Sequence, residues 1–559
     1  MPERRAEQGC SNPREITMKR IDGAQAITPR VKLLPACLAL ALAVGSSIAS
    51  PERAFATASP VAHSPIPVPA SALPIQRAPW SDADRQSLVA FMQGKQRAAQ
   101  PVPAASIAVT NCNDSGPGSY RQAVADALTG DTIDLTNTGC SVITLTTGDV
   151  ITAVDDLTLQ GPGALALTIS GGYTYRPIEH IGAGTLAIND VSIADGKKYL
   201  ADGGFGNASG GCVASGQGTV AINNSWIKYC DAGTSSTTTA VRGGAVFGYA
   251  GVSIINSVIS GSTAHTSALG AYGGGVYTTG SLTVAYSTIR GNTATGGRST
   301  GGGVQVGRSG GVQGGQTFFK YSTIGDNSAA VGGGVYSTGD AFFTNTTISG
   351  NVGQNTSGVL LFNTGGATSS WKMNNSTVSG NTSTFRGGGV YVRGNDAQIQ
   401  NSTIAFNTLS NNGSGAGKYG AGLAVMSVNN VDLESVLISN NKTDLNDGNG
   451  LLIDDAGGVT NSTLSGASNL VYFPSTIVTP GGTILLTDPM LKALSSNGGS
   501  TATHSMSPLS PAINFGNNVL GAATDQRGSG FPRTLNGQTD IGAFEFDLSD
   551  VIFADGFDG

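Results

Sequence analysis

Short apolar runs broken by single polar residues set the pattern of this chain, and long amphipathic stretches are missing from most of it. In Leu282-Thr283-Val284-Ala285, apolar and polar side chains alternate as they do along a strand with one face buried. Runs of this kind recur about every 30 residues from near residue 190 to residue 466. Each unit pairs a glycine cluster entering an aliphatic strand with a later Ser-Thr-Ile/Val-x-x-Asn stretch. Gly273-Gly274-Gly275-Val276-Tyr277 precedes Tyr286-Ser287-Thr288-Ile289-Arg290-Gly291-Asn292. Gly332-Gly333-Gly334-Val335-Tyr336 precedes Asn345-Thr346-Thr347-Ile348-Ser349-Gly350-Asn351, and Gly387-Gly388-Gly389-Val390-Tyr391 precedes Asn401-Ser402-Thr403-Ile404-Ala405-Phe406-Asn407. A period in this range predicts stacked units, each packing only on its neighbours.

The pattern predicts coil upon coil of short strands over residues 157–466. The coils stack at the strand spacing of roughly 4.8 Å, so ten units make a rod of roughly 50 Å. Glycine clusters supply left-handed or bulged backbone at the corners. The recurrent Asn292, Asn327, Asn351, Asn381 and Asn407 suit a side-chain ladder inside a turn, amide bonding to amide between coils. Asn-x-Ser/Thr triplets, among them Asn381-Thr382-Ser383, are read as structural positions, not as glycosylation acceptors. The Gly-x-Gly runs precede no helix, so they are not phosphate loops.

An open end of such a stack exposes unpaired backbone and needs a cover. Residues 105–156 are expected to form it. Ser119 and Gln122 make a capping-box start for a helix carrying Val124 and Leu128 on one side. Strands around Ile133, Leu135 and Val142 to Leu145 follow.

Residues 57–104 are Pro/Ala-rich and read as a linker, with one short helix capped by Ser81 and running through Leu88 and Phe91. Before them, Met18-Lys19-Arg20, Arg30 and Lys32 lead into an apolar run from Leu33 to Val44, with Ala54-Phe55-Ala56 as the cleavage site. Residues 1–56 therefore read as a secretory signal region, and translation starts at Met1 or Met18. The apolar run is shorter than the roughly 18 residues that spanning a membrane requires, so no transmembrane segment is expected in the mature chain.

Export changes the reading of the cysteines. Cys112, Cys140, Cys212 and Cys230 remain after cleavage, and four cysteines allow three pairings. Proximity in sequence favours Cys112 with Cys140 and Cys212 with Cys230. Cys230 occupies the slot where later repeats carry Asn292 or Asn351. Charge adds an exclusion. Only 12 % of residues are charged and the net charge is −6. No basic stripe with interleaved aromatics appears, so no nucleic-acid partner is expected.

At these residues the chain resembles right-handed parallel β-helix proteins, specifically the repeats of polymorphic outer-membrane proteins. The family's GGA[I/L/V] motif stands here as Gly243-Gly244-Ala245-Val246 and the Gly-Gly-Gly-Val variants. Its F-x-x-N motif is relaxed to Ile289-Arg290-Gly291-Asn292 and its equivalents. Asn113 to Ser119 with Arg121-Gln122-Ala123 looks like the amino-terminal cap of exported bacterial β-helices. Towards the end come Asp488-Pro489, Asn497-Gly498-Gly499, Thr503-His504, Ser510-Pro511-Ala512-Ile513, Asp525-Gln526-Arg527-Gly528 and Asp540-Ile541-Gly542-Ala543-Phe544-Glu545. This series resembles a carboxy-terminal module called the choice-of-anchor Q domain, over residues 467–546, with a tail at 547–559. The resemblance implies an all-β chain forming a single right-handed parallel β-helix between two caps. It also implies a bacterial surface or secreted protein of the Gram-negative type. The chain departs from autotransporting members of the outer-membrane family, which end in a β-barrel of about a dozen strands of roughly 10 residues each. Only about 90 residues follow the last repeat.

Right-handed β-helices often cut acidic polysaccharides, and hydrolases of this fold need carboxylates on neighbouring coils. Asp155-Asp156 and Asp454-Asp455 are adjacent pairs, whose members strand alternation would send to opposite faces. Arg393 with Asp396 is the nearest candidate for a lyase. Between Gly243 and Asn430 only Asp326, Asp340 and Asp396 are acidic, too sparse for a calcium cluster. Asp444-Leu445-Asn446-Asp447-Gly448 reads as a turn, since its glycine falls one place early for an EF-hand loop. His180, His265 and His504 are isolated in sequence. Asp525, Arg527, Arg533, Asp540 and Glu545 are expected to form a charged network closing the last coil.

No catalytic, cofactor or metal site is therefore assigned. The expectation is an exported, monomeric, adhesin-like protein presenting a Ser/Thr/Asn-rich face to a polysaccharide or cell-surface ligand. A polysaccharide lyase or glycoside hydrolase of the pectate-lyase-like fold, or a structural surface component, are the competing readings. A carboxylate cluster on one face would favour the enzyme, and a continuous polar, uncharged face would favour binding.

Overall fold

The computed structural model describes residues 104–547, apart from 201–207, 237–238, 268–269, 308–312, 364–368, 395, 411–419, 427–429, 444–450, 455–462, 473–482 and 486. The expected signal region, the linker helix at Ser81, the turn at Asp444 and the tail beyond 547 lie outside the described residues, as does Asp455.

The chain is an all-β parallel solenoid of about 10 turns, right-handed in type, with one helix among the described residues. Each coil contributes up to four strands, and equivalent strands of successive coils pair in parallel. One coil runs through Val246–Gly248, Gly251–Ile255, Val258–Ser260 and Thr263–Thr266, and these lie on what we call the first, second, third and fourth faces. The described strands form sheets of 11, 13, 13 and 9 strands on those faces in turn. Side-chain alternation explains the core. Ser281–Ala285 has Leu282 and Val284 fully buried and its other three side chains outside.

Two corners hold each coil in shape. Between the second and third faces, a residue with positive φ precedes a hydroxyl: Asn224 before Ser225, Asn256 before Ser257, Tyr286 before Ser287, Tyr321 before Ser322. Those serines form a ladder, in which Ser225 N–H donates to Ser257 Oγ at 3.0 Å and Ser257 N–H to Ser287 Oγ at 3.0 Å. Ser287 N–H continues it to Ser322 Oγ at 3.2 Å. Between the third and fourth faces a second positive-φ residue, such as Gly291 or Gly350, precedes each ladder asparagine. The first residue of the Ser-Thr-Ile-x-x-Asn stretch therefore serves one ladder and the last serves another.

At the amino-terminal end, the helix Tyr120–Asp126 buries Tyr120, Ala123 and Val124. Ser119 Oγ accepts from Gln122 N–H at 3.2 Å, which is half of the expected capping box. The other half does not form, because the Gln122 amide turns instead to the Asp126 carboxylate at 2.8 Å. The helix also stops before Leu128, which is only half-buried.

From residue 487 the chain runs back along the third face of earlier coils. Asn345 Nδ2 donates to Asp525 O at 2.9 Å, Asn375 Nδ2 to Thr524 O at 3.1 Å and Asn401 Nδ2 to Asn517 O at 2.9 Å. Thr347 Oγ1 donates to Ala502 O, Thr377 Oγ1 to Gln526 Oε1, and Thr403 Oγ1 accepts from Ala543 N–H. The outward threonines of the third face are thus covered by this segment in that part of the rod.

Candidate functional site

The faces differ in what they leave open. On the first face the outward row in register is Ala214, Phe247, Tyr277, Gln305, Tyr336, Leu360, Tyr391 and Ala424. All of these are buried, so this face offers no side chain to solvent from that row. The second face mixes charges (Lys320, Lys372, Asp432, Glu434) with a stacked pair, Phe318 and Phe342, whose centroids are 5.0 Å apart.

The fourth face is different. Its outward row runs Thr263, Thr293, Ser328, Val352, Thr382 and Thr408 in unbroken register before reaching Lys442. A second row carries His265 beside Thr295, and Gln354 lies outward on a later coil. These side chains are half-buried or exposed. Beneath them the inward residues are small: Ala232, Ala264, Ala294 and Ala329 form their own buried cluster. Small inward residues let the strands lie close to the rod and leave an outward row of hydroxyls broken only at Val352.

The amino-terminal edge of this face carries the charges. Lys197, Asp231 and Thr263 share one row, and Tyr199, Gly233 and His265 the next. His265 Nε2 lies 3.0 Å from Asp231 Oδ1, and Lys197 Nζ lies 3.6 Å from Asp231 Oδ2. Burial opposes ionisation of Asp231, yet the His265 hydrogen bond and charge and the Lys197 ammonium hold its carboxyl below the ordinary value. Gly233 makes room for the imidazole, since a Cβ there would stand 2.2 Å from His265 Nε2. Tyr199 and His265 face each other across that gap with centroids 6.0 Å apart. His265 is thus one member of a four-residue group. Its only sequence signal is that Lys197, Asp231 and His265 fall about 34 residues apart, one coil each.

The other residues singled out in the sequence take structural partners. Asn292 Nδ2 donates to Asn327 Oδ1 at 3.0 Å, Asn327 to Asn351 at 3.0 Å, Asn351 to Asn381 at 2.9 Å and Asn381 to Asn407 at 2.8 Å. The run continues to Asn441, and Ser262 and Cys230 precede it. Cys112 is bonded to Cys140 and Cys212 to Cys230. Asp155 and Asp156 do not point to opposite faces of a strand. They sit in a corner, where both carboxylates accept backbone N–H groups of the next coil, from Ala183 at 3.0 Å and Thr185 at 2.7 Å. Asp454 ends a strand of the first face. Arg393 lies over the Phe362 ring at 5.1 Å, while Asp396 accepts Asn430 N–H at 2.8 Å, so the two serve different neighbours. His180 is buried against Ser215 Oγ at 2.9 Å, and His504 bonds Ser379 Oγ at 2.8 Å.

The charged group near the carboxy terminus is one network. Asp525 pairs with Arg527 at 2.8 Å, and Arg527 is sandwiched between Phe531 and Phe544 at 4.0 and 3.9 Å. Arg533 Nε stands 3.9 Å from Glu545. Burial, and next the charge of Asp540, push the Glu545 carboxyl up to about 8.

Among the described residues, no group of three or more His, Cys, Asp or Glu side chains is placed to hold a metal ion. No described helix is long and apolar enough to cross a membrane. The chain is a parallel β-solenoid, a fold that hosts many activities. No protein-family model matches it, and neither a curated protein nor a solved structure does.

Proposed function

We propose that this is an exported surface protein that binds glycans along the fourth face of its solenoid without catalysing a reaction on them. The observation that carries the reading is the uncharged row from Thr263 to Thr408, held in register over successive coils. A polysaccharide repeats its hydroxyls along one axis, and the coils repeat theirs at roughly 4.8 Å. One polymer can therefore meet equivalent donors and acceptors on each of these coils but that of Val352, each contact weak and the sum useful. The leader-like run Leu33 to Val44 and the two disulfides support export, because disulfides persist in oxidising compartments. The likeness of the repeats to polymorphic outer-membrane proteins, and of residues 467–546 to the choice-of-anchor Q module, supports a place at the cell surface.

A second reading, an enzyme acting on polysaccharide, is favoured by one observation: the His265–Asp231 pair with Lys197 and Tyr199 beside it. A histidine oriented by a carboxylate is a general acid–base arrangement. The test is incubation of the full chain with acidic and neutral polysaccharides, with and without calcium. Retention on a polymer without new reducing ends or unsaturated products supports binding. Cleavage that His265→Ala abolishes replaces it with the enzyme.

A further inference from the structure

We infer, independently of the glycan reading, that the third face ahead of Asn345 is a docking strip for an extended segment of a partner protein, held through its backbone carbonyls. One outward row of that face runs in unbroken register through Trp226, Val258, Thr288, Thr323, Thr347, Thr377 and Thr403. Two residues before each stands a corner residue of positive φ: Asn224, Asn256, Tyr286, Tyr321, Asn345, Asn375 and Asn401. Their φ values all fall between 44° and 51°, so the corner side chains leave the backbone in the same direction.

The later coils show what this arrangement binds. Asn345, Asn375 and Asn401 give Nδ2 hydrogens to the backbone carbonyls of Asp525, Thr524 and Asn517. Thr347 gives its hydroxyl to the carbonyl of Ala502. Where the face is occupied, its occupant is therefore irregular polypeptide, taken by its main chain. That segment reaches Tyr321, whose Cε1 lies 3.2 Å from where a Cβ on Gly528 would stand. Ahead of Tyr321 the same positions meet solvent. Asn224 and Asn256 are exposed, Tyr286 is 53 % exposed, and Trp226, Val258, Thr288 and Thr323 are half-buried.

The side chains added on these coils are of the types that carry binding energy between proteins, namely Trp226, Tyr286, Tyr321 and the exposed Arg290. Tyr286 stacks on Tyr321 with centroids 5.1 Å apart, which makes a shelf beside Thr288. Trp226 Nε1 donates to Ser260 Oγ at 2.8 Å, laying the indole across the face, and Lys228 lies over the ring at 4.0 Å. Tyr229, 52 % exposed, borders the opposite corner. Charge does not select the partner, because Asp326 stands exposed at the end of a strip that carries Lys228 and Arg290. Size does. Four coils at roughly 4.8 Å run about 19 Å, and six extended residues at roughly 3.3 Å each run about 20 Å. At about 15 Å across, the strip offers about 300 Å², well short of the roughly 800 Å² that each side of a stable complex of folded proteins buries.

The test pans the full chain against a display library of random twelve-residue peptides and titrates the strongest binder as a fluorescent synthetic peptide. Asn256→Ala and Tyr286→Ser, both at exposed positions and each with an unchanged melting midpoint, should weaken it at least about fivefold. Tyr173→Ser, an exposed tyrosine off the strip, should leave it unaltered. Esters in place of single peptide amides, which make poorer carbonyl acceptors, should lower affinity at two or more positions. Selection of no peptide, or a binder that both strip variants keep, overturns the proposal. Loss with Tyr286→Ser alone and no ester effect overturns recognition through carbonyls. Retardation by an unsubstituted β-glucan gel that Tyr286→Ser abolishes would make the strip a sugar platform and overturn it as well.

Discussion

Cys212 and Cys230, bonded to each other with Cα atoms 5.4 Å apart, stand at the two positions where later coils carry the third glycine of the triplet and the ladder asparagine. The correspondence follows from strand register. Cys212 aligns with Ala245, Gly275, Gly303, Gly334, Gly358 and Gly389, and Cys230 with Ser262, Asn292, Asn327, Asn351, Asn381 and Asn407. In each asparagine coil the two positions touch. A Cβ on Gly275 would stand 3.1 Å from Asn292 Cγ, and one on Gly303 would stand 2.9 Å from Asn327 Nδ2. Where the slot holds Ser262, the facing residue is Ala245, and the larger Cβ fits. From the Cys212 coil to that of Gly389, each coil fills one small volume, with Cys–Cys, Ala–Ser or Gly–Asn.

Gly303→Ala should therefore destabilise the rod by about 1–3 kcal/mol, the usual cost of overpacking. Its Cβ would also stand 2.7 Å from Gly334 O. Adding Asn327→Ser should recover part of the loss by copying the Ala245–Ser262 coil. Urea midpoints of the two single variants and the double variant give the coupling. Strict additivity would show that the two positions do not share a volume.

The ladder itself should matter at its centre. Asn327 Nδ2 donates to Ile289 O at 3.0 Å and its Oδ1 accepts Asn292 N–H at 3.0 Å, all in the buried interior. Asn327→Ala leaves these groups without partners, which costs about 1–3 kcal/mol for each buried group stranded. A shift in urea midpoint smaller than that seen for an exposed asparagine such as Asn137 would count against the ladder as a stabilising element.

The disulfide coil should be convertible. Cys212→Gly with Cys230→Asn keeps the volume and adds one rung below Ser262. Cys230→Ala alone loses the cross-link and leaves a gap. The bond closes a short loop, 18 residues apart in sequence, where the chain-entropy term is about 3 kcal/mol. The double variant should melt above the single one. The reverse order would mean that the Gly–Asn arrangement depends on more than this pair.

Much of this was legible in the sequence. The triplets and the Ser-Thr-Ile-x-x-Asn stretches sit at fixed places in each unit, and solenoid pairing turns sequence period directly into spatial stacking. What was not legible depends on contacts across a coil or across several. The reason for the third glycine is the asparagine on the far side of the same coil. Only the first glycine of each triplet, Gly273 or Gly332 for instance, has the left-handed φ expected at a corner. The serine ladder leaves no distinct mark in the sequence, because a hydroxyl beside a threonine reads as surface. His265 looks isolated in the sequence because its partners, Asp231 and Lys197, are one and two coils away. The docking of Gln526 on Thr347 and Thr377 spans about 150 to 180 residues and leaves no local mark.

The carboxy-terminal network predicts a pH dependence. Burial raises Glu545 to about 8 and lifts Asp525 and Asp540 in the same direction. The unfolded chain releases these protons near the ordinary carboxylate values, so between there and pH 8 the folded state holds more protons. Stability contributed by this group must then fall as pH rises through that window. Asp114 acts at the other end. Despite burial, hydrogen bonds from Thr147, Arg121 and Thr146 hold it near 2, so its contribution is lost as pH drops from about 4 towards 2. His180 and His504 act the other way, because burial holds both imidazoles below the ordinary value and their contribution grows as pH rises through the same window. The comparison that isolates the carboxyl network is Glu545→Gln against wild type: the melting midpoint of the wild type relative to the variant should fall between pH 5 and 8, and a difference that stays constant or rises would contradict this.

If glycans lie along the fourth face, a charge placed on that face should weaken their binding. Thr293→Glu and Thr382→Glu put a carboxylate into the uncharged row, and Thr283→Glu puts one on the second face as a control. Binding of the full chain to the polysaccharide that retains it best is then measured by affinity electrophoresis. Both fourth-face variants should lose at least about tenfold in affinity while Thr283→Glu stays at wild-type strength. Equal affinity for all three variants and the wild type would contradict it and move the binding surface off the fourth face.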